Sequence, residues 1–292
     1  MSARPSVSPG VSSGLVGVLR RVVSTFSGAV GLAIVVVVVT AALLAPIIAT
    51  HDPDAINVLN RFQGPSLANW LGTDHLGRDL YSRLVHGASV AMAVALTAIT
   101  AALVAGTILG VVAASVPARA ERLILILFDI ISSFPSLVLA LAVVAVFGPS
   151  TLLVVIIVSV TLIPHFGRVA RAQVLTVRNA PFIEAERLLG ASLPRIALFH
   201  FLPNIAGPLV VLASMDIPVV ITIEAGLSFI GLGVRPPLAS WGTLIYDGYA
   251  YLSDSKLPVV IASAALGIAT LGFTLFGEAL RDAVDPRLSE DR

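Results

Sequence analysis

The sequence contains no cysteine and a single lysine, Lys256. The first absence excludes disulfides and thiolate metal sites and leaves the redox compartment open. The second excludes a P-loop, which needs a lysine after a glycine run to neutralise phosphate; no such run precedes Lys256. His-Glu-x-x-His, Gly-x-Ser-x-Gly and a cysteine nucleophile are missing too. Charge is scarce, at 12% of residues, where a soluble globular protein carries roughly a quarter. The net charge of +1 gives no argument for a nucleic-acid partner. What is abundant is apolar: 57% of 292 residues are hydrophobic, more than a soluble fold of this length can hide. The 17 arginines beside one lysine read as compositional bias.

A bilayer core of ~30 Å takes about 20 apolar residues in a helix. Six segments qualify, at about 26–48, 88–114, 123–147, 151–166, 207–230 and 257–279. Gly148-Pro149-Ser150 separates the third from the fourth, the fourth contains Pro164, and the fifth contains Asp216, Pro218 and Glu224. The expected fold class is therefore an all-α polytopic membrane protein. Arg20 and Arg21 precede the first segment as they would a signal peptide, but its apolar run exceeds the 7–15 residues of such a core, so it reads as a retained helix.

Orientation follows from where the basic residues fall. With the N-terminus cytoplasmic, the inner segments hold Arg4, Arg20, Arg21, Arg119, Arg122, Arg168, Arg171, Arg178, Arg187, Arg195, Arg281, Arg287 and Arg292. The outer ones hold only Arg61, Arg78, Arg83, Arg235 and Lys256. Both termini are expected inside, which independently requires an even number of spans. The organisation that follows is a disordered tail over 1–24, a transmembrane domain over 25–288 and a short tail over 289–292. Within the domain, loops 49–87 and 231–256 lie outside and a large loop 167–206 lies inside.

The inner loop is the informative stretch. Asn179 reads as an N-cap with Pro181 in the first turn, where its missing N–H costs nothing. Glu184 suits the helix dipole there, and Gly190 is a natural stop because it tolerates positive φ. Ser192 and Pro194 start a second short helix that Leu202-Pro203 should end. Phe182, Ala185 and Leu189 share one face, and Glu184 can pair with Arg187. Two short helices with an apolar stripe are thus expected to leave the membrane, either to meet a partner surface or to lie on lipid headgroups.

Glu184, Ala185, Gly190, Leu202 and Pro203 resemble, at matching spacing, the cytoplasmic loop motif of bacterial ABC importer permeases. Glu186 stands where that family has a second alanine and His200 where it has isoleucine. Leu71-Gly72-Thr73-Asp74, Gly77-Arg78-Asp79 and Ser82-Arg83 are similar to segments of peptide and nickel permeases. So are Ser133-Phe134-Pro135, the run from Glu224 to Gly233, Pro236-Pro237, Ser240-Trp241-Gly242 and Asp285-Pro286-Arg287-Leu288. The likeness covers about 66–288 and looks like the C-type subunit of oligopeptide/dipeptide permeases, of the type I importer fold. It implies a coupling role for Glu184, Ala185, Arg187, Gly190, Leu202 and Pro203 against a separate ATPase. It also implies a B-type permease partner, two ATPase subunits that carry ATP and magnesium, an external substrate-binding protein, a peptide substrate and a bacterial plasma membrane. No cofactor, metal or catalytic residue is expected in this chain.

Several residues keep two readings. Asp129, Asp216 and Glu224 lie at or within spans, where a charge costs at least about 2.5–3.5 kcal/mol, so each faces a cavity or a partner. Asp216 and Glu224 either line a translocation path or hold helices together. His51, His75 and His86 share an outer loop with Asp52, Asp74 and Asp79 but at no metal-binding spacing. Leu76, Leu80 and Leu84 suggest a helix over 76–86 at the outer interface, as a brace or as a contact for the binding protein. Gly106 and Gly110 allow close approach of an unspecified helix. Trp241, and more weakly Trp70, suits an interface anchor. The competing functions are a stand-alone ion-coupled carrier using Asp216 and Glu224, nickel rather than peptide import, and an intramembrane hydrolase built on Ser133 and Asp129.

Overall fold

The structure is a computed structural model that describes residues 15–284. The closing Asp285-Pro286-Arg287-Leu288 and the tail 289–292 lie outside the described residues, as do residues 1–14. Among the described residues eleven α-helices run in order: α1 Leu15–Val23, α2 Phe26–Ile48, α3 Leu80–Ser115, α4 Ala118–Ser132, α5 Ser136–Phe147, α6 Thr151–Val177, α7 Pro181–Leu188, α8 Leu193–Ile196, α9 Leu202–Phe229, α10 Trp241–Ala250 and α11 Leu257–Val284. Five stretches are long and apolar enough to cross a membrane: α2, α3, α6, Leu193–Phe229 and α11. The sixth is the pair α4 and α5, bent by 79°.

Several sequence expectations change. Residues 15–23 form helix α1, not part of a disordered tail, because Val22 buries against Ala279 and Ala283 and Arg21 donates to the Ala283 carbonyl at 3.3 Å. The third span is not one helix over 123–147. It breaks at Ser133-Phe134-Pro135, where proline removes a donor and pushes the preceding residue out of the α region. The segment 76–86 is not a separate helix: 76–79 is loop, and Leu80 opens the 36-residue α3 under the Asp79 N-cap, which accepts from the Ser82 N–H at 2.8 Å.

The bundle is centred on α3 and α6. Gly106 and Gly110 lie against α6, so the close approach they permit is with that helix. A methyl on Gly106 would stand 2.7 Å from the Ile163 carbonyl oxygen and from Phe166 Cβ, and one on Gly110 would stand 2.8 Å from Ala170 Cβ. α2 packs on α11 and α3, and α9 fills between α3 and α11.

One end of the bundle, the cap end, carries the loop 49–79 and α10. Here Arg78 donates to Asp74 at 2.6 Å and to Asp247 of α10 at 3.1 Å. Arg83, 1% exposed, donates to the Pro53 carbonyl at 3.1 Å and lies 3.6 Å from Asp54 and Asp74. Loop, α3 and α10 are thereby locked through buried charge pairs. Trp241 is not an interface anchor: it is 3% exposed and donates from Nε1 to the Leu84 carbonyl at 3.0 Å, seated where Gly87 leaves room. Trp70 remains half-exposed against the Tyr81 ring.

Candidate functional site

Two sites carry polar chemistry that the packing of the bundle does not require. The first is the arm at the end opposite the cap. α6 continues into it, held by Arg171 on Glu121 and by Arg178, which donates to the Ala114 carbonyl at 3.0 Å. Pro181 occupies the first turn of α7, so the N-cap falls on Ala180, one residue after Asn179, and no side chain caps it. Only Ile183 of α7 is buried; Glu184, Ala185, Arg187 and Gly190 are all exposed. The apolar residues on the open side are Phe182, Leu188 at 90% and Leu189 at 84% exposure. The stripe expected at Phe182, Ala185 and Leu189 is thus an open face, while the neighbouring Ile183 does the anchoring.

Gly190 has φ of 81°. The Ala191 N–H reaches the Glu186 carbonyl and the Gly190 N–H the Arg187 carbonyl, both at 3.0 Å. This is a Schellman stop that needs a left-handed residue. Space around Gly190 is open, so backbone conformation alone selects glycine there. Glu184 and Arg187 are joined by no ion pair among the described residues. Instead Glu186 Oε1 lies 3.5 Å from His200 Nε2, with the Phe182 ring 6.2 Å from the imidazole. The two positions that depart from the loop motif, Glu186 and His200, therefore face one another.

Leu202-Pro203 does not end the second helix. Ala197–Phe201 forms one wide π turn, in which the Leu202 N–H reaches back to the Ala197 carbonyl, and the chain continues straight into α9. The wide turn accommodates Pro203, which has no N–H to give to an ordinary α ladder. The second helix of the arm is therefore the end of one helical stretch running from Leu193 to Phe229, 37 residues long.

The second site lies midway along α6 and α9. His165 Nε2 stands 3.8 Å from Asp216 Oδ2, with side-chain exposures of 49% and 12%. One turn along α6, Arg168 donates to Asp129 Oδ1 at 2.8 Å and to Ser132 Oγ at 3.3 Å. His165 was not singled out in the sequence; its spacing from Arg168 and its place beside Pro164 were visible, but its partner is 51 residues away. Glu224 is elsewhere: it is 0% exposed, accepts from Ser228 Oγ at 2.7 Å, and reaches no open surface of this chain. Ser133 Oγ donates to the Asp129 carbonyl at 2.7 Å, a local helical bond and not a nucleophile–base pair.

The cap end brings ligand atoms of Asp74, His75 and Asp247 within 4.8 Å of one another. Arg78 already holds both carboxylates, and the His75 ring stacks on Tyr251, so this is an arginine site. His51 lies 3.9 Å from Asp79, and His86 meets the Ser82 carbonyl; neither converges on a second ligand.

Comparison with known proteins identifies the family. A family profile described as binding-protein-dependent transport system inner membrane component matches residues 106–290. A second, the N-terminal TM domain of oligopeptide transport permease C, matches residues 18–65. The dipeptide transport system permease protein of Alkalihalophilus pseudofirmus is 36% identical over 89% of this chain and 85% of its own length. The probable D,D-dipeptide transport system permease protein of Escherichia coli is 37% identical over 87% and 85%. The oligopeptide transport system permease protein of Bacillus subtilis is 33% identical over 89% and 85%. The fold is similar to that of the MetNI methionine ABC transporter in an inward-facing form, with a TM-score of 0.58 at 19% identity, covering 70% of this chain and 98% of that one.

Proposed function

This chain belongs to the family of binding-protein-dependent transport inner membrane components, and we propose that within it the chain is the C-type transmembrane subunit of an ATP-driven peptide importer. It is an integral membrane permease subunit and not itself a catalyst. The peptide reading rests on relatives named for dipeptide and oligopeptide transport that match nearly the whole chain.

The observation that carries the coupling role is the arm: an anchored short helix, open on its Glu184, Ala185, Arg187, Leu188 and Leu189 side, stopped at Gly190 and followed by α8, which runs on into a membrane helix. An exposed apolar face of this kind at the end of a rigid helix suits a partner groove. The partner is a pair of ATPase subunits that bind ATP and magnesium; a B-type permease completes the pathway and an external binding protein delivers the peptide. The arginine distribution supports a cytoplasmic arm and termini in a bacterial plasma membrane. In this scheme ATP binding closes the ATPase pair, draws the two arms together and opens the spans outward; hydrolysis resets them. Leu202 and Pro203 act by carrying the arm's displacement into α9. Asp216 lies on the pathway.

Gly190→Pro and Glu184→Arg test this. Both variants are expected to insert and accumulate normally yet separate ATP hydrolysis from peptide uptake in the reconstituted complex. Normal uptake by both removes the coupling role and leaves a six-span carrier.

A further inference from the structure

The open part of the mid-span site is the Asp216 carboxylate. Its Oδ2 is buried and accepts no hydrogen bond from the protein. The nearest cationic or donor group is His165 Nε2 at 3.8 Å, beyond hydrogen-bond reach. Buried polar atoms are nearly always satisfied, and a carboxylate oxygen left unpaired at membrane depth is costly. The neighbouring acid, Asp129, is already matched by Arg168. Asp216 is therefore the acidic group of this stripe without an arginine.

The stripe is also open. His165 is half-exposed, and Arg168 and Asp129 beside it are 46% and 72% exposed. Thr161, His165 and Arg168 follow one another along one face of α6 at helical spacing. Groups of this polarity do not face hydrocarbon, so this face of the chain meets water or a second polar surface.

We propose that His165 and Asp216 form a binding site for a primary ammonium group, the charged amino terminus of a peptide passing through the membrane. An ammonium carries three donors and no acceptor. It can give one to the unfilled Asp216 Oδ2 and another to the imidazole nitrogen of His165, bridging the 3.8 Å gap between them. A hydrogen bond between an ammonium and a carboxylate is among the stronger kinds. This inference rests on the proposed importer reading, and gives that pathway its first contact for one end of the substrate.

The test uses the assembled transporter purified in detergent, with tri-alanine and N-acetyl-tri-alanine as probes. Carbethoxylation of His165 by diethylpyrocarbonate is followed by mass spectrometry. The expected result is that His165 reacts, that tri-alanine slows its reaction relative to that of the exposed His51 in the same sample, which corrects for reagent consumed by the free amine, and that N-acetyl-tri-alanine at the same concentration does not. In Asp216→Asn the protection by tri-alanine is expected to weaken on the order of tenfold or more, the factor lost with a hydrogen bond to a charged group. An unreactive His165, or equal protection by both peptides, overturns the proposal: the first means the face is sealed against lipid or the second permease, the second means the amine is not read. Failure of the importer reading shows separately, as normal uptake in Glu184→Arg, which leaves His165 untouched.

Discussion

Asp79 starts the 36-residue α3 and closes the cap with one carboxylate. It caps α3 at the Ser82 N–H, takes the Ser82 and Thr50 hydroxyls at 2.7 and 3.1 Å, and takes Asn69 at 2.9 Å. Burial pushes its carboxyl up, but the hydrogen bonds from Asn69, Ser82 and Thr50 together outweigh it and hold the group below its ordinary value of 3.8. A depressed acid stabilises the fold fully above the unfolded value and loses that contribution as pH falls through the folded one. Thermal unfolding of the wild-type chain in detergent is therefore expected to be insensitive to this group down to about pH 4 and to weaken below 3.8. Asp79→Ala should lower stability by at least about 1 kcal/mol, the usual worth of a cap, and should lose the acid-dependent component; Asp79→Asn, which keeps an acceptor, should recover part of the difference. The residues of this cluster stand out in the sequence as Gly77-Arg78-Asp79 and Ser82-Arg83. The pairing of Arg78 with Asp247, 169 positions away, does not, because nothing local encodes a contact between a loop and a distant helix.

At the scale of elements, the α3–α6 contact is set by glycine. Gly110→Leu places a side chain against the α6 backbone, where overpacking costs roughly 1–3 kcal/mol and more if the helices cannot part. Membrane accumulation and thermal stability are both expected to fall in this variant, with a milder effect for Gly110→Ala. The arm holds a second element-level contact, Glu186 with His200. If these two charges support one another, Glu186→Ala and His200→Ile should each alter coupling of ATPase activity to uptake, and the double variant should fall short of their sum by about 0.5 kcal/mol or more in transport rate. Helix existence was readable from hydropathy for all six membrane segments, and the Gly190 stop from its chemistry. The break at Pro135 and the persistence of the helix through Pro203 were not. Both residues are prolines after apolar runs, and which one bends the chain depends on whether a wide turn and neighbouring helices take up the lost hydrogen bond.

Across the whole molecule, two ends and a middle divide the work. The cap end is locked by buried Arg–Asp pairs; the arm end leaves large apolar side chains uncovered; the polar stripe runs between them. Replacing Leu188 and Leu189 together with glutamate should leave the chain folded, since both are open to solvent. It should also sharply reduce the ATPase recovered with the purified complex; undiminished recovery would move the docking face elsewhere on the arm. The sequence was most informative where a candidate site is local, in the run from Glu184 to Gly190, and least where one is assembled from distant helices, as at His165 and Asp216. Composition reveals that an acid lies in a span, but only the tertiary arrangement reveals what stands opposite it.

The wide turn at Ala197–Phe201 also fixes an angular phase. Each residue of an α-helix advances the chain by about 100° around its axis, so removing a single residue from that turn would rotate α8 roughly a quarter revolution about the axis of α9 and drag on α7, which α6 holds at its other end. Where the arm points is thus indexed by the number of residues in the turn more than by their identity, and a one-residue deletion there would misaim an otherwise unaltered arm.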